Sequence, residues 1–273
     1  MADRPVRRPL LTQVEEVERL TPGMVRVVLS GADLEGFGVG EFTDHYVKLQ
    51  FPPVGAGYAP PFDPAEIRSS RPREEHPRVR TYTVRAFDPD ANRLTIDFVV
   101  HGDEGVAGPW ANHAKPGDAL QFVGPGGGYT PAEDADWHLM VGDAAVIPAI
   151  SASLRRIPAG RPVHVLIQLD GPEEEQPLDT PGALHLQWLH ERGDDVLAQA
   201  ARAIDAPGGA VHAFVHGEAA SVRAVRRHLI VERGVPKEQL SASGYWRRTR
   251  TDEQWREDKA EWNRLVEEDA AAA

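Results

Sequence analysis

Apolar and polar residues alternate with a two-residue period through much of the first half of the chain. In Tyr46–Phe51, Val47, Leu49 and Phe51 share one face; in Arg93–Val100, Leu94, Ile96, Phe98 and Val100 do. This is the pattern of antiparallel strands with one buried side. Met24–Leu29 is rich in valine and follows the turn signal Pro22-Gly23. Ala119–Val123 is entered through Pro116-Gly117-Asp118 and left through the glycine-rich run Gly124–Gly128. Short strands separated by Gly/Pro turns predict a barrel or sandwich. From Pro52 to Arg78 prolines interrupt the chain and no period is visible. A loop of that length is usually functional or mobile.

The second half has a different rhythm. His138–Val141, Val163–Leu169, Leu184–Leu189 and Val211–Val215 read as short buried strands. Helical patterns alternate with them at Ala144–Ile157, Asp194–Ile204 and Glu218–Arg233, with Pro148 suited to a first turn. Strands alternating with helices predict crossover units and a parallel sheet. A last helix is expected at Thr251–Glu268, started by a Thr251 cap with Gln254 three residues on, and the closing EEDAAAA reads as a frayed tail. The change of rhythm puts the division at 133/134, giving domains 1–133 and 134–273.

Composition narrows the chemistry. The chain has 273 residues, 41% hydrophobic and 26% charged, with a net charge of −12. That charge would repel a polyanion, so no nucleic-acid partner is expected. No apolar run approaches ~20 residues, and glutamates follow the basic start where a leader would be apolar, so neither membrane span nor signal peptide is expected. There is no cysteine, which removes disulfides, thiolate metal sites and Cys-ligated clusters. It also fits a reducing compartment, the cytoplasm. A Cys-free chain that handles electrons must use an organic cofactor or a partner's cluster. The histidines show no metal-ligand spacing, and no metal site is expected. Gly124–Gly128 lacks the Lys-Ser/Thr of a phosphate loop and reads as a turn that lets another group approach closely.

Arg80-Thr81-Tyr82-Thr83-Val84-Arg85 falls on an expected strand, with Arg80, Tyr82 and Val84 on one face and Thr81, Thr83 and Arg85 on the other. A flavin asks three things of such a strand: a flat group against its ring, a hydrogen bond at the ring edge and a cation for its pyrophosphate. Tyr82, Thr83 and an arginine can supply them; an exposed strand with surface arginines would read the same. Further on, Gly105-Val106-Ala107-Gly108-Pro109-Trp110-Ala111 is either a glycine-rich entry into a short helix, whose bare N–H groups would suit phosphate, or an ordinary turn. His101, at the end of its strand, reads equally as a flavin neighbour or as a ring bonded to backbone.

The ordered set of motifs resembles the siderophore-interacting protein family, FAD-dependent ferric-siderophore reductases of ferredoxin-reductase-like build. The family runs R-x-Y-T-x-R, D-F-V-x-H-G, G-P-A-x-x-W-A, P-G-D and G-P-R-G; this chain has RTYTVR, DFVVHG, GVAGPWA, PGD and GPGG in that order. The family's G-D-E-T-A-L-P-A-I has its counterpart in Gly142–Ile150, its G-E-A in Gly217-Glu218-Ala219 and its Y-W-R in Tyr245-Trp246-Arg247. Four positions depart: Val106 stands for Pro, Gly108 lies near a position that often carries a hydroxyl, Gly126 replaces Arg, and Ala144-Ala145 replace Glu-Thr.

The resemblance implies a β + α/β fold: an N-terminal antiparallel six-stranded flavin-binding barrel, then a parallel-sheet α/β nucleotide-binding-like domain. It implies FAD held by Arg80, Tyr82, Thr83 and Arg85, with Val100, His101, Gly105, Ala107, Gly108 and Trp110 around the phosphates and ring. Electrons would pass through the flavin, so no catalytic side chain is expected. A ferric siderophore would meet Lys48, Arg247 and Arg248. Gly142, Asp143, Pro148, Gly217 and Glu218 would form the donor side, and NADH, NADPH and reduced ferredoxin all remain open as donors. A further basic island, Arg68, Arg71, Arg73 and Arg78, suits an anion or a solvated face. A monomeric, cytoplasmic ferric-siderophore reductase is the expectation. A general NAD(P)H:flavin or ferredoxin-type reductase and a non-catalytic siderophore-binding protein are the alternatives.

Overall fold

The computed structural model describes residues 8–271; the basic start before them and the last two alanines lie outside. Two compact units divide at Gly128/Tyr129. Residues just past that point belong to the second unit because Tyr129 stacks on His212 at 5.0 Å and Ala132 N donates to His212 Nδ1 at 3.0 Å.

The first unit is built on β1 (Leu10–Thr21), β2 (Met24–Ser30), β3 (Tyr46–Phe51), β4 (Arg78–Thr83), β5 (Ala86–Asp88), β6 (Arg93–Val99) and β7 (Ala119–Gly126), with helices α1 (Pro64–Ser70) and α2 (Ala107–His113). The strands form one antiparallel sheet in the order β4-β3-β7-β1-β2-β6-β5, seven strands rather than the expected six. Its two edges are consecutive pieces of one segment. Val84 N donates to His45 O at 2.7 Å on the β3 side, while Arg85 N donates to Thr95 O at 2.9 Å on the β6 side. The ladder changes partner between adjacent residues, which curls the sheet barrel-like and splits one segment into β4 and β5. Val47, Leu49, Leu94, Ile96, Phe98, Leu120 and Phe122 fill the core.

The segment between β3 and β4 is not structureless. Asp63 caps α1 by accepting from Ala65 N at 2.7 Å, with Pro64 in the first turn. Gln121, 1% exposed, accepts from Phe62 N at 2.9 Å and donates to Phe62 O at 3.1 Å and to Gln50 Oε1 at 2.7 Å. One amide side chain thus pins the segment to β7. Gln121→Ala would strand buried polar groups of Phe62 and Gln50, at a cost of about 2 kcal/mol. The expected result is a lower melting temperature and faster proteolytic cleavage within residues 52–78 than elsewhere.

The second unit contains β8 (Trp137–Asp143), α3 (Ile147–Leu154), β9 (Pro162–Gln168), β10 (Ala183–Leu189), α4 (Val196–Ala203), β11 (Val211–Glu218), α5 (Ala219–Arg227), β12 (Leu240–Trp246) and α6 (Asp252–Ala271). All strand pairs are parallel, in the order β10-β9-β8-β11-β12. The chain builds outward from β8 to β10, then returns to the other side of β8 for β11 and β12. Strand order therefore reverses between β8 and β11, where open α/β sheets hold ligands at the carboxyl ends of their strands. Pro148 occupies the first turn of α3, as its missing N–H requires. The start of α6 is a capping box: Gln254 N donates to Thr251 Oγ1 at 3.2 Å and Thr251 N to Gln254 Oε1 at 3.0 Å. The helix continues to Ala271, so most of the expected tail is helical. Trp255, Trp262 and Val266 bury its inner face.

Candidate functional site

In the first unit β4 runs antiparallel to β3. Arg80 and Tyr82 lie opposite Leu49 and Val47 on the core-facing side; Thr81 and Thr83 lie opposite Lys48 and Tyr46 on the outer side. Tyr82 packs on Phe98 with ring centroids 4.5 Å apart, and Trp110 of α2 packs on the same Phe98 at 5.6 Å. Two motifs well separated in sequence therefore meet on one buried ring of β6. Thr83 is 8% exposed at the end of β4, and Arg80 Nη1 donates to Val79 O at 2.9 Å.

The helix entry has open backbone. Val106 precedes α2 and its own side chain makes no capping hydrogen bond to the first N–H groups, at Ala107 and Gly108. Gly105 has φ +86° with nothing within 4 Å of where a Cβ would stand. At Gly108 a Cβ would come 3.1 Å from Val99 O. That contact explains the departure noted above: glycine lets α2 lie against the end of β6, where a hydroxyl-bearing side chain would be crowded. Val100 is buried and its N–H donates to Gly23 O at 2.8 Å; His101, next in the chain, is exposed.

Sequence reasoning passed over Asp97. Its buried carboxylate takes two hydrogen bonds from Arg26, at 2.7 and 2.9 Å, and lies 3.5 Å from Arg85 Nε. Hydrogen bonding to the Asp97 carboxylate raises the pKa of Arg26. Arg85 is thus braced at the point where the segment crosses from β3 to β6. Part of the basic island is also committed elsewhere: Arg71 donates to Ala56 O at 2.7 Å, pairs with Glu75 at 2.9 Å and covers the Tyr58 ring at 5.1 Å. Lys48 differs. It is exposed on the outer face of β3 and enters no ion pair among the described residues.

In the second unit Gly142-Asp143 and Gly217-Glu218 end β8 and β11 side by side at the reversal of strand order. Asp143, partly buried, accepts from Ala145 N at 2.9 Å, Glu218 N at 2.7 Å and Trp246 Nε1 at 2.9 Å, joining the ends of β8, β11 and β12. Burial raises its pKa against the pull of those hydrogen bonds. Gly217, φ +125°, leaves room for it, since a Cβ there would stand 2.6 Å from Asp143 Oδ2. Glu218 caps α5 by accepting from Ala220 N at 2.7 Å and Ser221 N at 3.0 Å, and it also accepts from Arg248 N at 3.1 Å. Both carboxylates are turned on the protein's own N–H groups. Pro148 is buried in α3. Beyond β12, Arg247 Nη1 is 3.5 Å from Asp258, which Arg250 holds more closely at 2.9 Å, and Arg248 is 3.5 Å from Asp194. All three arginine side chains are partly exposed.

The first unit's donor set fits FAD: a tyrosine and a tryptophan ring gathered on Phe98, a hydroxyl at Thr83, guanidinium groups at Arg80 and Arg85, and an uncapped helix start beside an unobstructed Gly105.

Comparison with known proteins agrees. Residues 13–129 match the siderophore-interacting FAD-binding domain, and residues 135–249 match the siderophore-interacting protein model. The ferric vibriobactin reductase of Vibrio cholerae is 34% identical over 259 residues, covering 92% of this chain and 94% of that one. The NADPH-dependent ferric-chelate reductase of Escherichia coli is 32% identical over 236 residues, covering 85% and 91%. The crystal structure of the siderophore-interacting protein of Aeromonas hydrophila superimposes with a TM-score of 0.79 at 30% identity, covering 94% and 98%. With both of its units matched in order and relatives aligned along nearly its whole length, the chain belongs to the siderophore-interacting protein family, and its first unit is that family's FAD-binding domain.

Proposed function

We propose that this protein is a cytoplasmic, monomeric, FAD-dependent reductase that frees iron from ferric siderophores as Fe(II). The observation that carries this reading is the meeting of Tyr82 and Trp110 on Phe98. It puts the strand with the ring, hydroxyl and guanidinium groups beside the helix entry with open N–H groups, inside a domain of FAD-binding type.

Arg80 and the first N–H groups of α2, at Ala107 and Gly108, would hold the cofactor's pyrophosphate, together with Val100, His101 and Gly105. Tyr82 would offer an aromatic ring to the cofactor's ring system and Thr83 a hydroxyl for a hydrogen bond. Arg85, fixed by Asp97, would supply positive charge to the bound cofactor. When bound, FAD supplies the bridge between a two-electron donor and a one-electron acceptor. Reduction releases the metal because hard oxygen ligands hold Fe(III) far better than Fe(II).

The donor is NADPH, the cofactor named for the Escherichia coli relative. At the β8/β11 reversal Asp143 and Glu218 act as positioning residues. They lock the strand ends with their own hydrogen bonds, while Gly142 and Gly217 allow the backbones to close and Pro148 starts α3. Exposed Lys48 supplies positive charge for an anionic ferric chelate in the first unit; the exposed Arg247 and Arg248 are a separate source of positive charge in the second.

Anaerobic reduction of the FAD-loaded protein tests the assignment, with NADPH, NADH and reduced ferredoxin in separate arms, followed by ferric siderophore and an Fe(II) trap. Bleaching by NADPH and Fe(II) capture are expected; a protein that binds no FAD, or is bleached by no donor, refutes the reading. Lys48→Ala and Arg247→Ala, each alone, are expected to raise KM for an anionic ferric chelate roughly tenfold, the weight of one charge-assisted contact. Neither should alter KM for a neutral dye. Equal effects on both acceptors would move the activity to another substrate.

A further inference from the structure

Resting on the reading of the first unit as a ferric-chelate reductase, we infer that Tyr46 is an aromatic platform that selects chelates whose iron-binding arms are themselves flat aromatic rings, catecholate or phenolate, over anionic chelates without rings.

Tyr46 opens β3, and its side chain is 37% exposed, a large ring left in solvent at the end of a sheet whose other face is buried. Strand alternation puts it on the same outer face as Lys48, two residues on. The register places Thr83 opposite Tyr46 on the β4 side and Gly126 opposite it on the β7 side. Thr83, assigned to the flavin's ring edge, the exposed Lys48 and the exposed ring therefore share one small patch, all within the first unit.

The glycine beneath the ring keeps it there. A Cβ at Gly126 would lie 2.6 Å from the Tyr46 phenol oxygen and 2.9 Å from its Cε1. No side chain fits at 126 while the tyrosine holds its position. The position at which the family pattern carries an arginine thus holds a ring, supplied from the neighbouring strand. That exchange alters what the patch recognises. A guanidinium adds charge and hydrogen bonds, which any anionic oxygen-rich chelate can use. A phenol ring offers its face, which only a ligand with a flat face can use, at a gain of roughly three- to tenfold in affinity for an offset-stacked pair. Lys48 beside it answers the negative charge of either kind of ligand.

The test is equilibrium binding to the oxidised, FAD-loaded full chain with no electron donor present, so that it reads recognition apart from turnover. Two anionic probes are compared: the ferric tris-catecholate complex, which carries rings, and ferric citrate, which does not. Tyr46→Leu should weaken tris-catecholate binding roughly three- to tenfold and leave citrate binding unchanged, with Tyr46→Phe keeping wild-type preference. Gly126→Ala should act like Tyr46→Leu, because the added methyl displaces the ring. Lys48→Ala should weaken both probes alike. Wild-type binding of both probes with no change of preference in Tyr46→Leu overturns the platform while leaving the reductase reading intact. Failure of the wild type to bind either probe overturns both.

Discussion

Asp97→Ala is expected to destabilise the first unit by about 3–5 kcal/mol, the cost of removing one partner from a buried ion pair, and to weaken FAD binding with it. The Asp97 side chain is fully buried, whereas those of Arg26 and Arg85 are 27% and 14% exposed. The carboxylate answers two guanidinium groups, on β2 and at the β4/β5 crossing, and it has no contact with water to replace them. Arg85 is the more tightly enclosed, and its backbone N–H is the one that moves the ladder from β3 to β6. Without Asp97 the crossing loses its brace, and Tyr82 and Thr83, which immediately precede it, lose their fixed position. Asp97→Asn keeps the shape and one acceptor but not the charge, and should fall between. Thermal unfolding of the FAD-free variants and titration with FAD provide the check. An Asp97→Ala protein that melts with the wild type would show that the two arginines are held by other means.

Much of this organisation was legible in the chain, and what was missed has physical causes. The strands with clean alternation, β3 and β6, were visible because each has one dry face. β1 was not, although it is the longest strand. Register shifts between Val14 and Glu16 and between Arg19 and Thr21 break its period, so its glutamates read as an ordinary polar stretch. The Asp63-Pro64 start of α1 was a usable signal, hidden by the prolines around it. α6 was readable from its Thr251–Gln254 capping box alone. In the site, the motif residues were found by pattern, but the brace was not. Arg26 is the one charged residue in Val-rich Met24–Leu29, and Asp97 the one charged residue between Leu94 and Val100; the sheet pairs them directly. Two lone charges of opposite sign inside apolar strands are a signal that pairing can find and single-strand periodicity cannot. Tyr46 over Gly126 lay beyond reach for a similar reason, since it depends on which strand lies beside β3.

The second unit should be acid-labile in a window set by its histidines. His138 on β8 is fully buried with neither ring nitrogen hydrogen-bonded, and burial, helped by His212 and Arg161, lowers its pKa to about 4. His216 on β11 stacks on Phe214 at 3.9 Å, and burial, helped by Lys259, lowers its pKa to about 3. His164 and His212 are lowered as well, mainly by burial. In the unfolded chain each ring takes up a proton near pH 6.5, whereas in the folded chain it does not until well below that. Stability is therefore at its full value above about pH 6.5 and falls as pH drops, by about 1.4 kcal/mol per pH unit for each such group, until the folded values are reached. His138 and His216 together give a loss of about 5 kcal/mol over the first two units, comparable with the whole stability of many domains. Carboxylates with lowered values, such as Glu232 at about 2, act only at more acid pH, while Asp143, raised by burial, takes up its proton first in the folded state and offsets part of the histidine loss. Urea unfolding at stepped pH, followed by circular dichroism and by hydrogen exchange in β8 and β11, should show this slope. His138→Leu replaces two unpartnered buried nitrogens with an apolar group; it should keep or raise stability at neutral pH and remove about half of the slope contributed by His138 and His216. An unchanged slope in that variant would mean that His138 takes up its proton in the folded protein as readily as in the unfolded one.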